Sequence, residues 1–127
     1  VRNEKEAALL ARVSDKIKVV IADATKPIEV LNAVLAANDG KEVDIAINCV
    51  NVQNTEMSTI LPVKDLGIAY FFSMATSFTK AALGAEGVGK DVTMIVGNGY
   101  TKDHAAITLE ELRESAVLRE IFNELYV

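Results

Sequence analysis

Cysteine, histidine, proline and tryptophan are nearly missing from this chain of 127 residues: one Cys, one His, two Pro and no Trp. The single Cys49 excludes an internal disulfide and points to a reducing, cytoplasmic setting. With one cysteine, one histidine and no H-x-x-H or C-x-x-C spacing, a zinc site within the chain is not expected. No apolar run nears the roughly 20 residues that span a bilayer. No charged-then-apolar signal segment opens the sequence. Basic side chains number 13 against 18 acidic ones and are scattered, giving a net charge of −5. That balance argues against nucleic acid and against anionic membrane surfaces. Repeats, low-complexity tracts and linkers are also lacking. The first residue is Val1 rather than Met, a start that processing, trimming or a fragment would each produce.

What is present is an ordinary globular composition, 50% hydrophobic and 24% charged, in a length that suits one domain. The patterning alternates. "NEKEAALLARV" reads as a helix with Ala7, Leu10 and Ala11 on one face. "KVVIAD" is a short continuous apolar run ending at Asp23, the pattern of a strand buried on both faces. In "ATKPIEVLNAVLAANDG", Pro27 suits a first helical turn and Asn38–Gly40 a stop. "VDIAIN" reads as a second strand and "NTEMSTIL" as a short helix with Met57, Ile60 and Leu61 inward. "IAYFFS" follows Gly67 as a third strand, with Phe71 and Phe72 as core aromatics. "SFTKAALGAEG" reads as one or two helical turns, "VTMIVG" as a fourth strand, and "KDHAAITLEELRESAVLREIFNEL" as one long final helix. Strands alternating with helices across short connections predict an α/β, doubly wound parallel sheet.

In an open parallel sheet every strand points its carboxyl end to one edge, where the ligand crevice lies. Three strand ends here are small, polar or flexible: Asp23-Ala24-Thr25, Asn48-Cys49-Val50-Asn51 and Ser73-Met74-Ala75-Thr76. Side chains of this size admit a flat ring or a ribose close to the backbone, while amides and hydroxyls orient it. Each end taken alone reads first as a cap for the following helix. The repetition at three successive ends favours a ligand edge. Arg2 adds a second hint. If Val1 is the tail of a preceding strand, Arg2 stands where a 2′-phosphate of NADP is accommodated; the other reading is a solvated terminal side chain.

Other motifs are set aside. "GAEGVGKD", Gly84 to Asp91, nearly matches the phosphate-cradling G-x-x-x-x-G-K-[S/T], yet Asp91 replaces the hydroxyl and the segment leads into a strand. "GNGYTK" offers Gly97 and Gly99 without a third glycine, so it reads as a turn. His104 reads as an exposed helical residue, and Cys49 as a small apolar filler rather than a reactive thiol. No nucleophile–base pair emerges.

The segments "INCVN", "NTEM", "FFSMATSF" and "ALGAEGVGKDVTM" with "GNGYT" are long and unusual. They make Val43 to Tyr100 resemble the carboxyl-terminal half of the L-erythro-3,5-diaminohexanoate dehydrogenases, and the likeness continues through "VVIADAT" and the final helix. The resemblance implies a cofactor domain similar to that of medium-chain alcohol dehydrogenases. It implies oxidative deamination of L-erythro-3,5-diaminohexanoate to 5-amino-3-oxohexanoate in lysine fermentation, with NAD or NADP reduced. By strand order it sets Asp23 and Ala24 near the adenine, Asn48, Cys49, Val50 and Asn51 beside the cofactor ribose, and Ser73, Met74 and Ala75 near the nicotinamide. It also implies that the "VTMIVG" strand pairs across a homo-oligomer, in relatives a dimer.

The departure from the pattern is at the start. A dinucleotide fold opens with a strand, a Gly-rich turn and a helix whose amino end meets the pyrophosphate. Residues 1–127 are therefore expected to be the carboxyl-terminal portion of a Rossmann-like domain lacking its first strands and Gly-rich loop, without the catalytic domain, and inactive alone. A non-catalytic α/β binding or oligomerisation module is the alternative, and part of a zinc alcohol dehydrogenase with another substrate a third reading.

Overall fold

A computed structural model of the chain describes residues 1–97 and 100–127. Its elements run in the order α1 (Glu4–Ala11), α2 (Pro27–Ala37), β1 (Val43–Asn48), α3 (Glu56–Ile60), β2 (Val63–Phe71), α4 (Phe78–Val88), β3 (Thr93–Val96), α5 (His104–Glu114) and α6 (Ala116–Tyr126). The three strands form a parallel sheet in the order β1-β2-β3, flanked by helices. The chain is thus α/β, as the alternation predicts.

Register and side-chain alternation divide the sheet into two unlike faces. Ala46, Asn48, Ala69, Phe71 and Met94 share one face, because Ala46 pairs with Ala69, Asn48 with Phe71 and Ala69 with Met94. Helices α3 and α4 cover it, and the core of Ile60, Val63, Ala69, Phe71, Ala81 and Ala85 lies there. Ile45, Ile47, Ile68, Tyr70 and Ile95 share the other face. There Ile45 is 54% and Ile47 65% exposed, so the edge strand presents apolar surface to solvent.

β2 begins five residues earlier than the "IAYFFS" run suggests. Its first half carries an irregularity where the pairing shifts between Val43 and Ile45. Leu66 there has φ +64, and Gly67 follows because a Cβ would stand 2.6 Å from Val63 Cγ1 and 2.8 Å from the Asp44 carbonyl. The near phosphate-loop motif is helix instead: Gly84 and Gly87 lie inside α4, which runs a full 11 residues before Gly89 ends it in the left-handed region.

Four other expectations need correction. "KVVIAD" forms no strand ladder among the described residues, where a single residue pairs with it: the Val1 ammonium donates to the Val20 carbonyl (2.9 Å) and Ala22 N–H to the Val1 carbonyl (3.0 Å). The final helix is two helices, broken at Ser115, whose extended backbone lets its side chain accept from Leu118 N–H at 3.2 Å and cap α6. Phe71 is buried but Phe72 is 46% exposed, since the strand ends between them and the chain turns away. Cys49 is exposed rather than a filler, for the same alternation that buries Asn48 turns the next residue outward. The turn expected around Gly97 and Gly99 falls partly on residues 98 and 99, outside the described residues.

Candidate functional site

Because β1 and β2 are parallel, the connections that follow them meet at one edge, and the turn after segment 18–23 is joined to that edge by Ser58 Oγ, which donates to the Ala24 carbonyl; α2, α3 and α4 all start there. The three polar strand ends are therefore brought together, but with different uses.

Asn48 is 4% exposed and its side chain is spent inside the protein. Its Nδ2 donates to Thr55 Oγ1 and Thr59 Oγ1, both at 2.9 Å, and its Oδ1 accepts from Val50 N–H at 2.9 Å. Those hydroxyls in turn donate to the Val52 and Thr55 carbonyls. Asn48 thus fixes the connection to α3, and it is Cys49, Val50 and Asn51, all exposed, that face outward from the edge. The Asn48 carbonyl accepts from Phe72 N–H (3.0 Å) and Ser73 N–H (3.1 Å), which ties the exit of β1 to the exit of β2.

After β2 the chain makes a tight arch. Ser73 Oγ accepts from Ala75 N–H (3.1 Å), and the Ser73 carbonyl accepts from Thr76 N–H (3.2 Å). Met74 stands at its apex, 88% exposed.

Asp23 closes a turn before α2, accepting from Thr25 N–H (2.9 Å) and Thr25 Oγ1 (2.7 Å). The Thr25 hydroxyl, then its N–H and the nearby Lys26, hold the Asp23 carboxyl below its usual range. The depressed value means that this carboxylate contributes stability above the ordinary aspartate pKa. The contribution disappears as pH falls through the depressed one. Thr25→Val is expected to move the Asp23 titration midpoint up towards the ordinary range, read by NMR of the carboxyl carbon; an unmoved midpoint would contradict the assignment. The neighbouring Ala24 carbonyl accepts from Ser58 Oγ at 2.6 Å, joining this turn to α3.

Arg2 lies beside Val1, next to the 18–23 segment, and its Nε pairs with Glu6 Oε1 at 2.6 Å. The guanidinium holds the Glu6 carboxyl below its usual range. A 2′-phosphate would have to share Arg2 with that carboxylate.

Two cavities adjoin the site. One, of about 310 Å³, runs along the open side of β1 and is lined by Ala24, Val30, Val34, Ile45, Ile47 and Val50 among others. The second, of about 440 Å³, lies where Thr25, Asn54, Thr79 and Lys80 approach one another. His104 Nδ1 is 2.7 Å from the Thr101 carbonyl and its ring packs edge-on against Tyr100, so it is a local contact at the start of α5. Among the described residues no group of three His, Cys, Asp or Glu side chains is gathered to hold a metal.

The inward face of α3 differs from the sequence expectation. Glu56, Ser58, Thr59 and Ile60 are its buried residues, while Met57 and Leu61 are half-buried. The helix starts only after seven residues of loop, and the anchoring of Thr55 and Thr59 on Asn48 sets its rotation. The polar string "NTEMST" in the connection that follows an apolar strand is the one signal of this in the sequence.

No protein-family model matches the chain. Over all 127 residues it is similar to two curated relatives: it is 84% identical to the L-erythro-3,5-diaminohexanoate dehydrogenase of Fusobacterium nucleatum subsp. nucleatum and 64% identical to the enzyme of that name from Acetoanaerobium sticklandii, and it spans 37% of the length of each.

Proposed function

We propose that the chain is the cofactor-side, carboxyl-terminal portion of an NAD- or NADP-dependent enzyme that oxidatively deaminates L-erythro-3,5-diaminohexanoate to 5-amino-3-oxohexanoate in lysine fermentation. The observation that carries this reading is similarity over every residue of the chain to two dehydrogenases of that name. The catalytic domain and the Gly-rich loop belong to the remaining length of such an enzyme, and the chain alone is inactive. The working enzyme is a cytoplasmic homo-oligomer in which β3 pairs across a dimer.

The geometry supports the domain assignment. Val1 donates to Val20 and accepts from Ala22, the two bonds of one parallel rung around Ile21. That rung fits the last residue of a strand lying beside segment 18–23, as in the strand order 3-2-1-4-5-6. The first strand then belongs between Val1 and β1. The open edge of β1, with Ile45 and Ile47 exposed beside an apolar cavity, has the character such a neighbour requires.

The residues at the edge fit a dinucleotide. Cys49–Asn51 and Ser73–Ala75 carry no acidic side chain that would repel a pyrophosphate, and their side chains are small or flexible. Asp23 and Ala24 stand on the adenine side, and Arg2 offers a cation to a 2′-phosphate. When bound, the nicotinamide would accept the hydride from carbon 3 of the substrate. The chain's own residues bind and orient; Asn48 and the α3 hydroxyls hold the two loops at a fixed separation.

The test is an assay of the full-length protein with the diamine and either cofactor. Reduced cofactor and ammonia appearing in equal amounts is the expected result; neither appearing would overturn the reading. The uncovered apolar edge also favours a second reading, a non-catalytic binding or assembly module. A full-length protein that binds neither NAD nor NADP, yet associates through that edge, would establish it.

A further inference from the structure

Glu56 is a carboxylate placed almost wholly out of water, 3% exposed at the first position of α3. Burial of an ionisable side chain costs stability unless a specific bond offsets it. The bond is to a backbone group 21 residues away: Ser77 N–H donates to Glu56 Oε1 at 2.7 Å. Ser77 is also the residue whose side chain caps α4.

Glu56 therefore grips the far end of the arch that leaves β2, while the Asn48 carbonyl grips its near end at Phe72 and Ser73. Both grips come from the β1–α3 connection. A third contact, from Lys80 Nζ to Asn54 Oδ1, links the same two elements outside the arch. Between the grips the arch is held by two bonds of its own, both to Ser73. Its conformation leaves the buried Thr76 hydroxyl without a partner among the described residues, a cost that an outside restraint must offset.

We infer that Glu56 is a positioning residue: its buried carboxylate fixes the shape of the Phe72–Thr76 arch, and through it the backbone of Ser73, Met74 and Ala75 at the carboxyl edge of the sheet. The step from arch to cofactor rests on the function proposed above. The step from Glu56 to arch does not.

The test uses the full-length protein and the variants Glu56→Ala and Glu56→Gln. Glutamine keeps a carbonyl oxygen for Ser77 N–H, whereas alanine removes the acceptor. Amide hydrogen exchange at residues 73–77 is expected to accelerate in Glu56→Ala and to stay near the parent rate in Glu56→Gln. With NAD and NADP as probes, Glu56→Ala is expected to weaken binding about tenfold or more, and Glu56→Gln by no more than about threefold. In steady state the alanine variant raises the cofactor KM by a larger factor than it lowers kcat. If Glu56→Ala does not fold, Glu56→Asp serves, because its carboxylate is one methylene too short to reach Ser77. Unchanged exchange at 73–77 in a folded Glu56→Ala or Glu56→Asp protein would overturn the inference, as would equal losses in the glutamine and alanine variants. A parent protein that binds neither cofactor sinks the proposed function instead, and the exchange comparison still decides the role of Glu56.

Discussion

Phe71→Ala is expected to destabilise the fold by about 3–5 kcal/mol, the largest effect of any single truncation in this sheet. Phe71 is 1% exposed and is the bulkiest of the fully buried side chains. It sits on the covered face of the central strand β2, between Asn48 on β1 and Val96 on β3, with α3 and α4 above it. The residues around it are Ile60, Val63 and small alanines, whose backbones are already packed, so little can move in to fill the space. The matching observation is a fall in thermal midpoint of about 10–20 °C. Phe71→Leu, which keeps most of the volume, should cost under about 2 kcal/mol. Equal losses in the two variants would mean that packing volume is not what Phe71 supplies.

The second large effect belongs to Asn48. Asn48→Ala is expected to cost about 2–3 kcal/mol, because Val50 N–H loses its acceptor and two threonine hydroxyls lose a donor inside the protein. Asn48→Asp is expected to be worse near neutral pH. The new carboxylate would face two hydroxyl oxygens whose hydrogens already point to the Val52 and Thr55 carbonyls. Burial raises the folded-state pKa of such a carboxyl above its unfolded value. The variant is then least destabilised below the unfolded aspartate pKa, and it loses stability as pH rises through the raised one. Denaturant unfolding of both variants across acid to neutral pH checks this. A pH-independent Asn48→Asp deficit would contradict the burial of that side chain.

Asn48 also shows what the sequence could and could not convey. The apolar run before it announces a strand, and the strand is there, though Ile45 and Ile47 on one face are exposed rather than buried. Its polarity announced either a ligand contact or a cap. The side chain is instead buried in bonds to Thr55, Thr59 and Val50, since Asn48 shares the face of Ala46 and that face is the one α3 covers. Alternation alone pairs Asn48 with Ala46, but which face receives the helix is decided by tertiary packing. The same limit explains α3, where Glu56, Ser58 and Thr59 are buried beside Ile60, while Met57 packs half-buried against the core and Leu61 is half-buried. In a five-residue helix, rotation is set by what the ends are tied to, not by hydrophobic period.

Segment 18–23 went the other way. Its composition is that of a doubly buried strand, yet a ladder needs a partner along its length and among the described residues only Val1 provides one. The final segment reads as one helix from its apolar spacing; the break comes where the Ser115 side chain accepts from Leu118 N–H and starts α6. Of the residues anticipated at the site, Cys49, Val50, Asn51, Ser73, Met74 and Ala75 do meet at one edge. Asp23 and Arg2 lie further along it, each already holding an intramolecular partner.

In the proposed enzyme the exits of β1 and β2 line a nicotinamide dinucleotide crevice completed by the rest of a longer chain. Hydrogen exchange of the full-length protein, with and without saturating NAD or NADP, tests it most directly. Slower exchange on cofactor binding is expected at residues 49–51 and 73–75, with the α5 and α6 amides unchanged. Cofactor binding that leaves both of those segments exchanging at their free rates would contradict it.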